Sequence, residues 1–195
     1  MGEAACTVRP THGAADAGEI HVHEFITLDG IVEAPSWTMD YPFDPKMGEA
    51  ISAIMGPSTG LLLGRHTYEM FAPAWSGRTA EEDPGAPFMN ESPKHVVSST
   101  LQSADWNNST ILGPYDPEAI RALKRQTDLY VSGSVTLVRA MFADGLVDEL
   151  HLFVYPLALG SGLKLFADGG PPLKFALAAS DAYENGVLHL TYNPT

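Results

Sequence analysis

Short apolar runs alternate with helically spaced apolar residues along the first third of the chain. Val22 to Leu28 predicts a first strand, and Leu61 to Leu63 predicts a second, buried strand. Between them, Asp44 and Pro45 are typical of a helix start, with an Asp cap and a proline at the first helical position. The apolar positions that follow at helical spacing are Met47, Ile51, Ile54 and Met55.

The alternation continues toward the C-terminus. Later strands are predicted at 96–97, 110–112, around Val131 and at 149–155, with helices beginning at Asp116 and running from Ser134 to about Phe142. Two final strands, Leu173 to Ala178 and Gly186 to Tyr192, are joined by a turn whose Asn185-Gly186 pair is a strong hairpin signal. The pattern predicts an α/β fold with a mostly parallel sheet and a C-terminal antiparallel hairpin.

One predicted strand ends in a turn suited to binding an anion. The run Leu61 to Leu63 stops at Gly64, and the residues after it read as the first turn of a helix. A helix N-terminus offers unpaired backbone N–H groups to a phosphate, and Arg65 adds a cation while Thr67 adds a hydroxyl. In the alternative interpretation, these side chains only cap the helix.

Two later segments support the anion interpretation. Lys94 to Thr100 is a β-branched run that closes in Ser98, Ser99 and Thr100, and the strand around Val131 breaks at Gly133 before a helix. If these strands are parallel neighbours, their carboxyl ends share the sheet edge where open α/β sheets bind ligands. The turn at Gly133 lacks the full G-x-G-x-x-G pattern, so a Rossmann fold is disfavoured and a different dinucleotide fold is indicated.

Four segments occur in a specific order along the chain. They are the strand and turn Phe25 to Gly30, the arginine turn Gly64 to Glu69, the strand Lys94 to Leu101, and a stretch from Gly133 through Gly145-Leu146-Val147-Asp148-Glu149-Leu150 and Pro156 to Phe166. From about His21 to Tyr192 the chain thereby resembles the dihydrofolate reductase-like superfamily. The most similar branch is the RibD C-terminal domain, the reductase domain of bacterial riboflavin biosynthesis. The resemblance implies a three-layer α/β fold and a reductase activity.

The cofactor expected from these residues is NADPH. Its 2′-phosphate needs a cation and hydroxyls, which Arg65, Ser99 and Thr100 supply. The resemblance implies that the arginine turn and the hydroxyl-bearing strand end flank the adenosine phosphate, and that the later glycine turn takes the pyrophosphate. The full predicted cofactor set is Gly64, Arg65, His66, Thr67, Ser98, Ser99, Thr100, Gly133, Ser134, Val135 and Thr136. The alternative is that Ser98 to Thr100 merely cap a turn.

The catalytic residues are less well defined by the sequence. Asp29 lies in the Leu28-Asp29-Gly30 turn that matches the family motif, and it is predicted to lie near the nicotinamide, although Asp-Gly is also an ordinary turn former. Dihydrofolate reductases hold the pterin with a carboxylate of the first helix. The first helix here offers Asp44 and Glu49, of which Asp44 is also the predicted helix cap.

Composition limits the possible partners and location. The chain has 195 residues, of which 45% are hydrophobic, and it predicts one domain over residues 20–195 after a tail at 1–19. A formal net charge of −13 excludes nucleic acid and anionic membranes as expected partners. A single cysteine, Cys6, and the lack of an apolar run of roughly 20 residues predict a cytoplasmic protein.

Histidines raise the question of a metal. His21, His23, His151 and His189 lie on predicted strands, but no H-x-x-x-H or Cys/His cluster accompanies them, so no metal is predicted.

The function predicted from the sequence is NADPH-dependent hydride transfer to a C=N or C=O bond of a small heterocyclic or related acceptor. One alternative is a non-catalytic nucleotide- or ligand-binding protein with the same fold. A third possibility is dihydrofolate reductase or the riboflavin-pathway pyrimidine reductase itself.

A homodimer is also predicted. The segment Asp148 to Tyr155, interpreted as a half-exposed antiparallel end strand, carries apolar bulk on both faces, and the resemblance implies pairing of two subunits through this region. The polar segment 76–93, interpreted as a long loop acting as a lid or dimer arm, is the alternative cover for that strand.

Overall fold

Eight strands form one sheet in the computed structural model, which describes residues 18–195. The sheet order is β4-β3-β2-β5-β1-β6-β8-β7; the first six strands in this order are mutually parallel, and β8 runs antiparallel to both of its neighbours. The strands are β1 Ile20–Thr27, β2 Gly60–Gly64, β3 Lys94–Val97, β4 Ser109–Gly113, β5 Leu129–Ser132, β6 Glu149–Tyr155, β7 Phe175–Ala182 and β8 Leu188–Pro194.

Helices cover both faces of this sheet. They are a 3-10 helix at Pro35–Asp40 and the α-helices α1 Pro45–Met55, α2 Arg65–Trp75, α3 Ala86–Glu91, α4 Pro117–Lys124 and α5 Val135–Ala143. Alternate residues of β2 show the two layers: Leu62 packs with α4 and α5, whereas Leu61 and Leu63 pack with α1, α2 and α3. The three-layer α/β fold is thereby confirmed.

Two helices begin where the sequence predicts. The carboxylate of Asp44 accepts the Lys46 N–H at 2.9 Å, and that of Asp116 accepts the Glu118 N–H at 2.9 Å. Each cap satisfies one of the backbone donors that a helix start leaves unpaired. Asp44 also accepts the Glu184 N–H at 3.1 Å, so its contacts are those of a buried cap that joins α1 to the C-terminal hairpin.

The C-terminal hairpin is confirmed, but its strands differ from the prediction. Gly186 has a φ of +87° in the turn, which suits glycine. Strand β7 runs to Ala182, four residues past the predicted end, because pairing with β8 carries the polar Ser180 and Asp181 along as strand.

Strand β6 is an inner strand of the sheet rather than the end strand that the homodimer argument assumed. It pairs with β1 on one side and β8 on the other. The edge on this side is β7, whose residues after Phe175 are all exposed. Strand order depends on contacts distant in sequence, so the apolar pattern alone could not assign the edge.

The prediction of a loop over residues 76–93 is wrong for its second half, which contains α3. Ala86 and Met89 bury one face of this short helix. Asn90 fixes it by donating to the Trp75 carbonyl at 2.9 Å and accepting from the Trp106 indole at 2.8 Å. The surrounding prolines and glycines mask this short amphipathic segment in the sequence.

Most of the predicted tail at 1–19 lies outside the described residues. Its last two residues are anchored: the Gly18 N–H donates to the Lys124 carbonyl at 2.8 Å, and the Glu19 N–H to the Asp128 carboxylate at 2.7 Å. Within residues 18–195, none of the helices has the length and apolar character needed to cross a membrane.

Candidate active site

The predicted anion-binding turns meet at one edge of the sheet. Strands β3, β2, β5 and β1 are consecutive and parallel, so their carboxyl ends lie side by side. Gly64 is paired directly with Val97, which precedes Ser98. We call this region, where Ser98 to Thr100, Gly64 to Thr67 and Gly133 to Thr136 meet, the carboxyl edge.

Two of these turns are tied to each other by side-chain hydrogen bonds. The Gly64 N–H donates to Ser134 Oγ at 2.9 Å, and the Ser134 N–H donates to Thr67 Oγ1 at 2.8 Å. Thr67 and Ser134 are buried, so these bonds form away from bulk water. They hold the N-termini of α2 and α5 next to each other, although the two turns are about 70 residues apart in the chain.

Neither helix start is blocked by a side-chain cap. No side-chain cap hydrogen bond is present at Gly64, before α2, or at Ser134, before α5. The first-turn N–H groups of a helix have no intrahelical partner, and together with the helix dipole they favour a bound anion. The carboxyl edge therefore presents two adjacent helix N-termini without side-chain caps, which is the kind of arrangement that suits an anion.

Gly133 is packed closely against Thr67 of the neighbouring turn. Its φ is +61°, and a Cβ built there would lie 3.1 Å from Thr67 Oγ1. A larger residue would be strained in this conformation and would press on the hydroxyl that links the two turns. Of the residues that follow, Val135 is buried in the core and Thr136 is exposed on the first turn of α5.

Arg65 supplies the cation of this edge. It is the first residue of α2, with its side chain 36% exposed. One guanidinium nitrogen lies 3.1 Å from Glu69 Oε2, and another lies 3.2 Å from His66 Nε2. An exposed pair of this kind is weak, so an incoming phosphate can compete with Glu69 for the guanidinium.

The hydroxyls after β3 divide into two kinds. Ser98 is buried, and its Oγ accepts the Leu101 N–H at 2.9 Å and the Thr100 N–H at 3.2 Å. This is the turn-capping role that the sequence left open for the segment. Ser99 and Thr100 are exposed, and their hydroxyls remain candidates for contact with a ligand.

Asp29 is engaged in holding a loop. Its carboxylate accepts the Gly160 N–H at 2.7 Å and the Leu159 N–H at 3.2 Å, and it also accepts the Thr27 hydroxyl. The Thr27 hydrogen bond, followed by that of Gly160, lowers the pKa of Asp29. These contacts join the end of β1 to the Gly160-Ser161-Gly162 segment and favour an ionised carboxylate, which suits an anchor better than a proton donor.

Glu49 lies apart from these contacts. It is exposed on α1, whose buried residues Met47 and Ile54 face the core. The carboxylate predicted from the first helix therefore points away from the packed face of that helix.

Glu24 is the carboxylate that the sequence reasoning missed. It lies on β1 with only 3% of its surface exposed, and its Oε1 has no hydrogen-bond partner among the described residues. Burial raises the pKa of Glu24 well above its ordinary value, and the Gly133 N–H facing the carboxyl opposes only part of this shift. The available signal was a charged residue within a central apolar strand.

The sheet order and the three layers are those of the dihydrofolate reductase-like fold. Within that fold class, the chain belongs to the RibD C-terminal domain family, whose profile matches residues 19–189. A curated relative is the protein YyaP of Bacillus subtilis (strain 168), itself uncharacterized. It is 25% identical over 177 residues, which are 86% of this chain and 90% of that protein.

Solved structures share the fold. A putative riboflavin biosynthesis protein from Shewanella sp. PV-4 superimposes with a TM-score of 0.74 at 18% identity, covering 91% of this chain and 99% of the other. A diaminohydroxyphosphoribosylaminopyrimidine deaminase/5-amino-6-(5-phosphoribosylamino)uracil reductase from Thermotoga maritima gives 0.65 at 14% identity, covering 92% of this chain and 57% of the other. At these identities the likeness establishes the fold.

Proposed function

We propose that this protein is an NADPH-dependent reductase that transfers hydride to a C=N or C=O bond of a small heterocyclic or related acceptor. The observation that carries the proposal is the pair of uncapped helix N-termini, at Gly64 and Ser134, held together at the carboxyl edge. Two adjacent anion sites suit a dinucleotide, which carries a pyrophosphate and, in NADPH, a separate 2′-phosphate.

The residues fit NADPH in a defined arrangement. The pyrophosphate would bind the turn Gly133 to Thr136, where the start of α5 carries no side-chain cap. The 2′-phosphate would bind Arg65 with Ser99 and Thr100, which are accessible and supply a cation and two hydroxyls. The bound nicotinamide would supply the hydride, and the protein's task is to align it with the acceptor and exclude water.

Glu24 is the proposed source of the proton. Reduction of a C=N or C=O bond needs one proton beside the hydride, and a buried carboxyl with a raised pKa is protonated where an exposed one is ionised. The Glu24 carboxyl faces the Gly133 N–H and is 3% exposed, so delivery of its proton requires that the acceptor or a bridging water reach this carboxyl when the cofactor is bound. Asp29, which is exposed and holds the 159–160 backbone, would support the loop instead.

The acceptor is proposed to be largely uncharged. A phosphoribosyl substrate would need cations beyond Arg65, and a chain with 11 Lys and Arg against 24 Asp and Glu has few to spare. Three large apolar side chains between β1 and α1 are exposed, namely Leu28, Met39 and Phe43. Such a surface suits a flat, uncharged ring.

The experiment is a binding titration followed by a turnover screen. NADPH binding is measured first, and oxidation of NADPH is then followed with dihydrofolate, riboflavin-pathway intermediates and small ketones. Oxidation of NADPH with one of these acceptors supports the reductase. Turnover of dihydrofolate would indicate dihydrofolate reductase, and turnover of a riboflavin-pathway intermediate would indicate the pyrimidine reductase. Binding without oxidation of any acceptor favours the non-catalytic ligand-binding alternative. Absence of NADPH binding contradicts the NADPH-dependent reductase.

We also propose a homodimer, formed through an apolar face of the C-terminal strands β6, β7 and β8. Leu177 on β7 and Leu188 on β8 are 56% and 42% exposed, and Leu152 of β6 lies half-buried on the same face as Leu188. A second copy of the chain would cover this apolar face. Light scattering should give twice the chain mass of 20.9 kDa, and Leu177→Lys should reduce it toward one chain. A wild-type mass of one chain at micromolar concentration contradicts the dimer.

A further inference from the structure

Three ligand atoms converge at the opposite edge of the sheet, near the amino ends of β1 and β6. Glu149 Oε2 lies 3.1 Å from His21 Nδ1 and 2.9 Å from His151 Nε2, and all three atoms lie within 4.8 Å of one another. We propose that His21, Glu149 and His151 bind one divalent transition-metal ion of the zinc type. We call this cluster the amino-edge site.

The strand register builds the amino-edge site. His21 of β1 is paired directly with Glu149 of β6, and His151 is two residues further along β6, on the same face as Glu149. Both strands are inner strands of the sheet, so their backbones are fixed on both sides. The three ligands therefore have a rigid support, which a metal site needs if it is to keep its geometry.

The donor set and spacing fit zinc. Imidazole nitrogen and carboxylate oxygen bind Zn²⁺ at about 2.0–2.2 Å, which places neighbouring ligand atoms of a tetrahedral site roughly 3.3–3.5 Å apart. The two measured spacings of 3.1 and 2.9 Å are shorter by a few tenths of an ångström, so small side-chain rotations would admit the ion. Two histidines also favour zinc over Mg²⁺ or Ca²⁺, which prefer oxygen ligands.

The far nitrogen of each histidine already has a partner. His21 Nε2 lies 3.4 Å from Glu19 Oε2, and His151 Nδ1 lies 3.1 Å from His189 Nε2. Metal-binding histidines usually donate their other N–H to such an acceptor, which fixes the ring and the tautomer. In the tautomers that make those donations, His21 Nδ1 and His151 Nε2 present their lone pairs to a metal ion; with no ion bound, the opposite tautomers let both nitrogens donate to Glu149.

A fourth ligand position would remain open. The histidine side chains are 8% exposed, whereas that of Glu149 is 29% exposed, so the ion would be reached from the glutamate side. Three protein ligands with one solvent-accessible position is the arrangement of zinc sites that hold a water molecule. The amino-edge site is separate from the proposed NADPH contacts, which lie beyond the opposite ends of the strands.

The test is a zinc titration of the full chain after chelator treatment, using a competing indicator. One zinc per chain is expected, with affinity weakened at least about tenfold in Glu149→Gln and in His151→Ala. His66→Ala is the matched control, because His66 is exposed at the other edge, and its zinc affinity should be unchanged. Melting curves without metal verify that each variant folds.

Cobalt provides a second measurement that reports geometry. Co²⁺ in the same site should give the intense visible absorption of a tetrahedral centre, and Glu149→Gln should alter that spectrum. No zinc binding at micromolar concentration would overturn the proposal and leave the three side chains as hydrogen-bond partners only. Zinc binding that is unchanged in both variants would place the ion elsewhere and would also overturn it.

Discussion

At the carboxyl edge of the sheet the candidate ligand-binding atoms are mainly backbone amides and hydroxyls of short turns. At the amino edge they belong to side chains on different strands. The carboxyl-edge turns are contiguous in sequence, such as Gly64 to Thr67 and Gly133 to Thr136. The amino-edge contact joins His21 to Glu149, which are 128 residues apart. The first kind of site can be read from a motif, and the second exists only after folding.

The two edges also suit ligands of opposite charge. The protein carries a formal net charge of −13, so the proposed anion site relies on helix N-termini and one arginine rather than on a basic surface. At the amino edge a carboxylate and two imidazoles offer lone pairs to a cation. Five experiments test whether the carboxyl edge binds an anion and the amino edge a cation, beginning with the largest expected effect.

Gly133→Val should abolish NADPH binding while leaving the protein folded. The β-branched side chain is strained at a φ of +61° and would press on Thr67 Oγ1, which accepts the Ser134 N–H and so holds the two turns in place. Calorimetric titration checks the binding, and the melting temperature checks the fold. Gly133→Ala is the milder companion, for use if the valine variant fails to fold. Normal NADPH affinity in a folded Gly133 variant would show that the pyrophosphate binds elsewhere.

Glu24→Gln should lower kcat by about 10²–10⁴-fold, the usual contribution of a general acid, with little change in NADPH affinity. In the wild type, kcat should fall as pH rises through the raised pKa of Glu24, because the carboxyl then loses the proton it donates. The glutamine variant should lack this decline. Asp29→Asn is the matched control for loss of a carboxylate. An equal loss of kcat in both variants would argue against a specific role for Glu24.

The raised pKa of Glu24 also predicts that the stability of the protein depends on pH, which can be measured without a substrate. The folded-state pKa of Glu24 is raised, so its favourable contribution is complete below the unfolded value near 4.5 and is lost as pH rises through the folded value. The free energy of unfolding should therefore decline more in the wild type than in Glu24→Gln as pH rises above about 4.5. Parallel curves from chemical denaturation would contradict the raised pKa.

Arg65→Ala should weaken NADPH binding by roughly ten- to a hundredfold and leave NADH binding nearly unchanged. Loss of a charge-assisted hydrogen bond to the 2′-phosphate costs about 1.5–3 kcal/mol. Glu69→Gln is the matched control, since it removes the partner of Arg65 and keeps the cation. If the titrations show that Arg65→Ala weakens NADPH binding and NADH binding equally, Arg65 does not contact the 2′-phosphate.

His151→Ala should change NADPH affinity by less than about twofold, because separate sites behave additively. Zinc binding should be lost in the same variant. A large loss of NADPH affinity in a folded His151→Ala protein would mean that the two edges are coupled, and the division drawn here would fail.

The sequence predicted those features that depend on neighbouring residues. The caps at Asp44 and Asp116 and the Asn185-Gly186 hairpin turn are local, and all three are present. The order of motifs also identified the family correctly. The turn at Gly133 could be recognised from the sequence because its positive φ favours glycine, and a glycine between a strand and a helix marks such a turn.

Features that depend on distant contacts could not be predicted in this way. The inner position of β6 is set by pairing with β1 and β8, and the partner of His21 proved to be Glu149 rather than the neighbouring His23. Glu24 looked like a charged residue in a strand, and only its burial marks it as a candidate acid. In each case the chemistry depends on which strands are neighbours.

The central claim is that the carboxyl edge binds a dinucleotide with a 2′-phosphate. Calorimetric titration of the wild-type protein with NADPH and with NADH tests it most directly. We expect one NADPH per chain, with NADH weaker by about ten- to a hundredfold. No binding of either cofactor, or equal affinity for both, would contradict the account.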